Sequence, residues 1–331
     1  MEIPDYSHLR EDLAKALTHN KMLWNDGMRD FCEKNHIPLD TIIKKIETIE
    51  DPNLVLRVRR YIDDYTQNIV PRPADIEYRR ELIGTIPVEW IKAKNTLELP
   101  LILFFHGGGY IFGGLEASWQ LPSQLSKIAN INILSVNYRH GPEYPYPAAL
   151  DDAIAVYDYL LHEKALDPNK IVVSGASAGG GLALALLLRL RDEKKLLPVG
   201  AALFSPWTDL RLKGASIKTN KDIDPDLTKT DLMMCASLYS GSPRLRKLPY
   251  LSPVLGDFSG LPPLLVDAGE KEILLDDSSR LVENAQEVGV EIHFKVWKDM
   301  NHVFHSLFAH IPEPNQAFIR VAEFIKGITM Y

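Results

Sequence analysis

IVVSGASAGGGLALALLL, residues 171–188, decides the fold. Ile171, Val172 and Val173 form an apolar, β-branched run that predicts a buried strand. Gly175-Ala176-Ser177-Ala178-Gly179 follows at once, and then an Ala/Leu-rich stretch that predicts a helix. This is G-x-S-x-G between a strand and a helix, the setting in which that pattern marks a nucleophile elbow. Gly175 and Gly179 leave room for strand and helix to approach, and Ser177 is pushed out at the strand's C-terminal edge. The helix N-terminus aims its unpaired N–H groups at the same spot, which favours developing negative charge. A Gly-rich βα turn can instead cradle phosphate, but the Lys-Ser/Thr ending of such a loop is missing.

Downstream of the elbow the pattern alternates. VGAALFSPWTDL (199–210), LPPLLVDAGE (261–270) and EIHFKVWKDMNH (291–302) predict strands that run into loops. A helix is expected over roughly Asp276 to Val288, and a last one carries Phe318, Val321 and Phe324. Upstream, LPLILFFHGGGY (99–110) reads as a buried strand ending in glycines. SWQLPSQLSKIAN (118–130) reads as a helix, residues 131–150 as a strand and Pro-rich loop, and Leu150 to Leu161 as a helix. IEYRRELIGTIPVEWIKAK (76–94) alternates and predicts antiparallel strands that open the sheet. The sum is an α/β protein with a mostly parallel sheet covered on both faces. Residues 208 to about 250 lack a strand pattern and form an insertion. Residues 1–67 read as a charged helical arm, with Trp24, Met28 and Phe31 at helical spacing and Pro71 and Pro73 at its end. The arm has too few apolar residues to expect a core of its own. The catalytic domain is then 68–331.

Composition sets outer limits. The chain has 331 residues, 46% of them hydrophobic, with a net charge of −7. An acidic balance argues against nucleic acid as the main partner. Two cysteines make no disulfide framework. The opening MEIPDYSHLREDL lacks a basic start followed by an apolar core, so no signal peptide is expected. No apolar run approaches the ~20 residues of a membrane span. A cytoplasmic location is the expectation.

Serine is a poor nucleophile unless a base lies within reach, an acid orients that base and donors await the oxyanion. In open parallel sheets these gather beyond the carboxyl ends of the strands. His106-Gly107-Gly108-Gly109 ends one such strand, and glycines let main-chain N–H groups approach a substrate oxygen. Gly107, Gly108 and the N–H of Ala178 are the expected oxyanion donors, with His106 as the loop's anchor. Of the 10 histidines, His302 follows a strand end and is the best-placed base. His305 is the second choice, although His305 and His310 are expected on the last helix already. The acid should lie between Ser177 and the base. Asp267 is expected within a strand, and Asp276 and Asp277 suit a helix N-terminus. Glu270 and Glu272 remain, and the pattern alone does not separate them.

Taken together these segments resemble the hormone-sensitive-lipase-like carboxylesterases of the α/β-hydrolase fold. The likeness rests on HGGGY (106–110), NYRHGPEYPYPAALDDA (137–153), SGASAGGGLA (174–183), SPWTDL (205–210), LPPLLVDAGEKEILLDDS (261–278) and NHVF (301–304), in the family's order. It covers the chain from about residue 75 onward. It implies Glu272 as the acid and His302 as the base, no metal or organic cofactor, and a helical cap built from the arm and the insertion. Two positions depart from the family's pattern. Ala176 stands where Asp or Thr usually precedes the serine, and His140 interrupts a YRLAPE-like loop. The implied function is a serine carboxylesterase acting on short- to medium-chain esters as a homodimer. Two other readings share the fold: a receptor-like binder, whose known examples have lost the catalytic His, and an amidase or peptidase with the same triad.

Overall fold

The computed structural model describes residues 9–39, 41, 54, 57, 58, 61, 65, 72–94 and 96–329. The side chain of Trp24, residue Pro71 and much of the arm beyond residue 40 lie outside them. An eight-stranded sheet organises the rest: β1 (Ile76–Ile83), β2 (Ile86–Ala93), β3 (Leu97–Phe105), β4 (Ile131–Val136), β5 (Ile171–Ala176), β6 (Gly200–Phe204), β7 (Leu264–Gly269) and β8 (Ile292–Trp297). Their order is β1-β2-β4-β3-β5-β6-β7-β8. β1 pairs antiparallel with β2, and β2 antiparallel with β4. Every other pair is parallel.

Burial follows position. β5 and β6 are buried at every residue, because helices cover both faces of the central strands. β1 and β8 sit at the edges and keep exposed positions. On one face α3 (Ala148–His162), α4 (Ala178–Asp192) and α7 (Leu275–Glu287) pack on Leu103, Val173, Leu203 and Val266. On the other, α2 (Gln120–Ala129) and α8 (Glu313–Thr329) pack on Ile102, Phe104, Val172 and Leu265. The alternation of strand side chains separates these two cores.

The insertion after β6 carries the short α5 (Ser216–Thr219) and the longer α6 (Lys229–Ser240). Thr228 caps α6 by accepting the Asp231 N–H at 3.1 Å. The inner side of α6 meets the loop after β3: Tyr239 stacks on Tyr110 with centroids 4.0 Å apart. A Cβ built on Gly109, which has φ +61°, would lie 2.6 Å from Cys235 Sγ, so this loop must pass under α6 without a side chain.

The arm divides in two. The first half of α1 (Glu11–Asn35), with Leu9 just before it, packs Leu13 and Leu17 on Met300, Phe304 and Leu307. Arg10 fastens it with two bonds to Glu313, at 2.6 and 2.8 Å. The second half differs from expectation: Met28, Phe31 and Cys32 form a small cluster of their own with Leu54 and Val58. His305 and His310 also differ from expectation. α8 begins only at Glu313, after Pro312, and His305 lies on a separate 3-10 turn, Phe304–Leu307. Val303, at φ +46°, breaks the chain direction just before that turn.

Candidate active site

The elbow is built by close approach. A Cβ on Gly175 would lie 2.2 Å from the Gly179 carbonyl oxygen, and one on Gly179 would lie 2.0 Å from that of Phe105. Neither position admits a side chain. Between them Ser177 adopts φ 54° and ψ −120°, outside the usual allowed regions, at a cost on the order of 1–3 kcal/mol. Three main-chain bonds hold it there. Its N–H donates to Phe204 O at 2.9 Å, and its carbonyl accepts from Trp207 (2.9 Å) and Gly181 (3.1 Å). Ala176 and Ala178 on either side of it are buried, at 4% and 0%, whereas Ser177 keeps 9% of its surface. α4 starts at Ala178, so that N–H has no partner within the helix.

The glycine loop runs alongside. A Cβ on Gly107 would stand 3.4 Å from the Ser177 Cβ. Gly108, at φ +116°, turns the chain back so that Ile111 and Phe112 donate to its carbonyl. His106 is fully buried; its Nδ1 donates to Gly107 O at 2.7 Å and its ring stacks on Tyr138. Burial pulls the His106 imidazole down to about 4, so it stays neutral. That suits a loop anchor better than a base.

Glu272 and His302 meet beyond the ends of β7 and β8. His302 Nδ1 donates to Glu272 Oε2 at 2.5 Å. The other carboxylate oxygen accepts the Gly269 N–H at 2.9 Å. Glu272 is fully buried and the His302 side chain is 8% exposed. Burial opposes a charged ring, but the Glu272 hydrogen bond and charge outweigh it, with Asp224 and Asp226 adding to them. His302 is therefore raised above the ordinary histidine value. An imidazole held this way has its tautomer fixed and its Nε2 free to take a proton.

Ser205 ties this loop to the elbow. Val303 N–H donates to Ser205 Oγ at 3.1 Å, and Ser205 follows Phe204, the acceptor for Ser177 N–H. Ser205 (φ +45°) and Val303 (φ +46°) are strained like Ser177. Three strained residues thus stand in one hydrogen-bonded chain at the C-terminal edge of β5, β6 and β8.

The remaining candidates fall elsewhere. Glu270 accepts the Asp299 N–H at 2.9 Å and leaves His302 to Glu272. Asp267 is in β7, as expected, bound to Arg320 at 2.5 Å. Asp277 accepts the N–H groups of Thr208 and Asp209, both at 2.7 Å, and fastens the SPWTDL segment. Sequence reasoning gave no role to Ser205, Asn301, Asp224 or Asp226. Ser205 and Asn301 open the SPWTDL and NHVF segments, and Asp224 and Asp226 lie in the Asp-rich run 222–226, so each stood in a visible signal without a role attached. Among the described residues no three His, Cys, Asp or Glu side chains converge as metal ligands. Both cysteines are buried and unbridged. No helix among the described residues is long and apolar enough to cross a membrane.

Comparison with known proteins agrees with this architecture. The alpha/beta hydrolase fold family matches residues 102–306. An acetyl-hydrolase of Streptomyces hygroscopicus is 37% identical over 247 residues, covering 75% of this chain and 82% of the relative. An esterase of Acinetobacter venetianus is 35% identical over 285 residues, covering 86% and 93%. The crystal structure of an esterase from the bacterial hormone-sensitive lipase family superposes with a TM-score of 0.79 at 35% identity, covering 88% of this chain and 97% of that one. The chain therefore belongs to the hormone-sensitive-lipase-like carboxylesterases of the α/β-hydrolase fold, and is a carboxylic ester hydrolase.

Proposed function

We propose that this carboxylesterase hydrolyses short- to medium-chain esters through an acyl-enzyme on Ser177. The observation that carries this is the Glu272–His302 pair, tied through Ser205 to the strained serine. His302 Nε2 takes the hydroxyl proton as Oγ bonds to the ester carbon, and the carbonyl electron pair moves onto oxygen. Glu272 holds the ring and stabilises its charge. The N–H groups of Gly107, Gly108 and Ala178 receive the oxyanion, where losing one donor typically costs about 100- to 1,000-fold. The intermediate collapses, the C–O bond breaks and the alcohol leaves with the His302 proton. Water, deprotonated by His302, repeats the sequence and frees the acid.

The arm, residues 1–67, and the insertion at about 208–250 then contribute a cap over the pocket. The α6 contacts with Tyr110 and Gly109 support this, as does the seating of α1 on the His302 loop. A homodimer and a cytoplasmic setting rest on the family resemblance and on composition, and light scattering tests the dimer. A panel of p-nitrophenyl esters of increasing chain length, run beside a p-nitroanilide, tests the substrate class. Turnover peaking at short or medium esters and near zero on the anilide is expected. Preference for the anilide would favour an amidase. No turnover of either, with no acylated Ser177, would favour a binder.

A further inference from the structure

The insertion brings an acidic segment, Asp222-Ile223-Asp224-Pro225-Asp226, behind the Glu272–His302 pair. Asp224 Oδ2 accepts the N–H of Ile273, the residue after Glu272, at 2.7 Å. Its Oδ1 accepts the N–H groups of Asp226 (2.8 Å) and Leu227 (3.0 Å). Asn220 Nδ2 donates to the carbonyls of Glu270 and Glu272, each at 3.0 Å. On the other side, Asn301 Nδ2 donates to the Asp226 carboxylate and to the His302 carbonyl, the latter at 3.2 Å. The loop bearing the acid and the loop bearing the base are thus both fastened to one stretch of the insertion.

The charges around His302 come from several elements. Glu272 approaches from the loop after β7, Asp224 and Asp226 from the insertion, and His305 from the turn that follows, with Asp267 behind it. Lys21 of α1 faces Asp226. One carboxylate, Glu272, thus touches the imidazole and two more act on it by charge from the insertion, against one cation, Lys21, facing Asp226. Burial and Asp224's charge push the Asp226 carboxyl up, but much of Asp226 is open to solvent, which limits that push.

We propose that Asp224 and Asp226 are positioning residues, which hold the Glu272 and His302 loops in register and stabilise the positive charge His302 acquires during turnover. This rests on the Ser177–His302 reading above. The insertion then does more than cover the pocket: it completes the environment of the base, so that displacing the insertion also removes two charges that favour protonated His302. Like-sited carboxylates favour the protonated imidazole, and their removal lowers the pH at which it loses its proton.

The test uses the full chain. Asp226→Asn keeps an acceptor for Asn301 and removes one charge. Asp224→Asn removes a charge and leaves one of three N–H groups without a carboxylate oxygen. In kcat/KM profiles on a p-nitrophenyl ester, the acid limb should move down by about half a pH unit in Asp226→Asn and further in Asp224→Asn. At the optimum kcat should fall about three- to tenfold with KM unchanged, since neither residue meets the substrate. Asp222→Asn, exposed in the same segment, should leave the profile alone. NMR titration of His302 in Ser177→Ala chains, with and without Asp226→Asn, reads the same charge without turnover and serves if Asp224→Asn does not fold. A lower His302 midpoint supports the inference. An unchanged midpoint and acid limb in a folded Asp226→Asn chain, with His302→Ala inactive, overturns the inference alone. Turnover surviving in His302→Ala overturns the reading beneath it.

Discussion

His302 and His305 stand three positions apart, yet one lies in the loop beyond the strand ends and the other packs against Phe204 and Phe318 on the α2/α8 face, and they do opposite things. His302 sits beyond the C-terminal edge, 2.5 Å from Glu272, and is raised. His305 lies inside, fully buried between Phe204 and Phe304, with Asp267 3.8 Å away. Asp267 is already committed to Arg320. Burial pulls His305 below the ordinary histidine value, against the pull of Asp267 and Glu272. A carboxylate near a buried histidine does not by itself make a base. The hydrogen bond must be made, and the ring must keep one nitrogen toward a cleft. The turn at Val303 separates the two environments.

The largest effects should divide these two pairs. His302→Ala should cost about 10⁶-fold in kcat, as loss of a base from a triad does. His305→Ala should stay within about tenfold in turnover but lose about 2 kcal/mol or more in stability from the cavity it leaves. Ester kinetics and thermal melts on both variants check this, and a dead His305→Ala beside an active His302→Ala would reverse the assignment. Glu272→Gln comes next, with an expected loss of about 10⁴-fold because the tautomer is no longer held. Glu270→Gln should remain near wild type, and Asp267→Asn should act on stability by about 1–3 kcal/mol with little kinetic effect.

Smaller effects lie in the pH dependence. His302 must be neutral to take the Ser177 proton, so kcat/KM should fall as pH drops through its raised pKa, above the ordinary value of about 6.5. Linkage gives the two rings opposite signs. The stabilisation from His302 is present below its unfolded pKa and is lost as pH rises through the raised folded one. That from His305 is present above the unfolded value and is lost as pH falls through the lowered folded one. Denaturant titrations of the two alanine variants across pH 5 to 8 should show slopes of opposite sign relative to wild type.

What the chain discloses unaided follows the range of each interaction. The elbow is local: two glycines, one serine and a change of periodicity within 18 residues, all matched by β5, the tight turn and α4. The antiparallel opening and parallel remainder of the sheet were legible for the same reason. Glu270 and Glu272 were not separable by pattern, because their difference lies in which neighbour each finds: Asp299 N–H for one, His302 for the other. Ser205, Asn301 and Asp224 were missed because each acts across 49 or more positions: 98 for Ser205, 75 for Asn301 and 49 for Asp224. The self-packing of Phe31 with Val58 escaped notice because a few apolar residues suffice when they face one another.

The most direct test of the central assignment is covalent. Intact-mass analysis after exposure to an organophosphate, followed by peptide mapping, should find one adduct, on Ser177, that is absent from Ser177→Ala and slowed in His302→Ala. A chain that turns over esters yet carries its adduct on another residue, or none at all, would contradict the account.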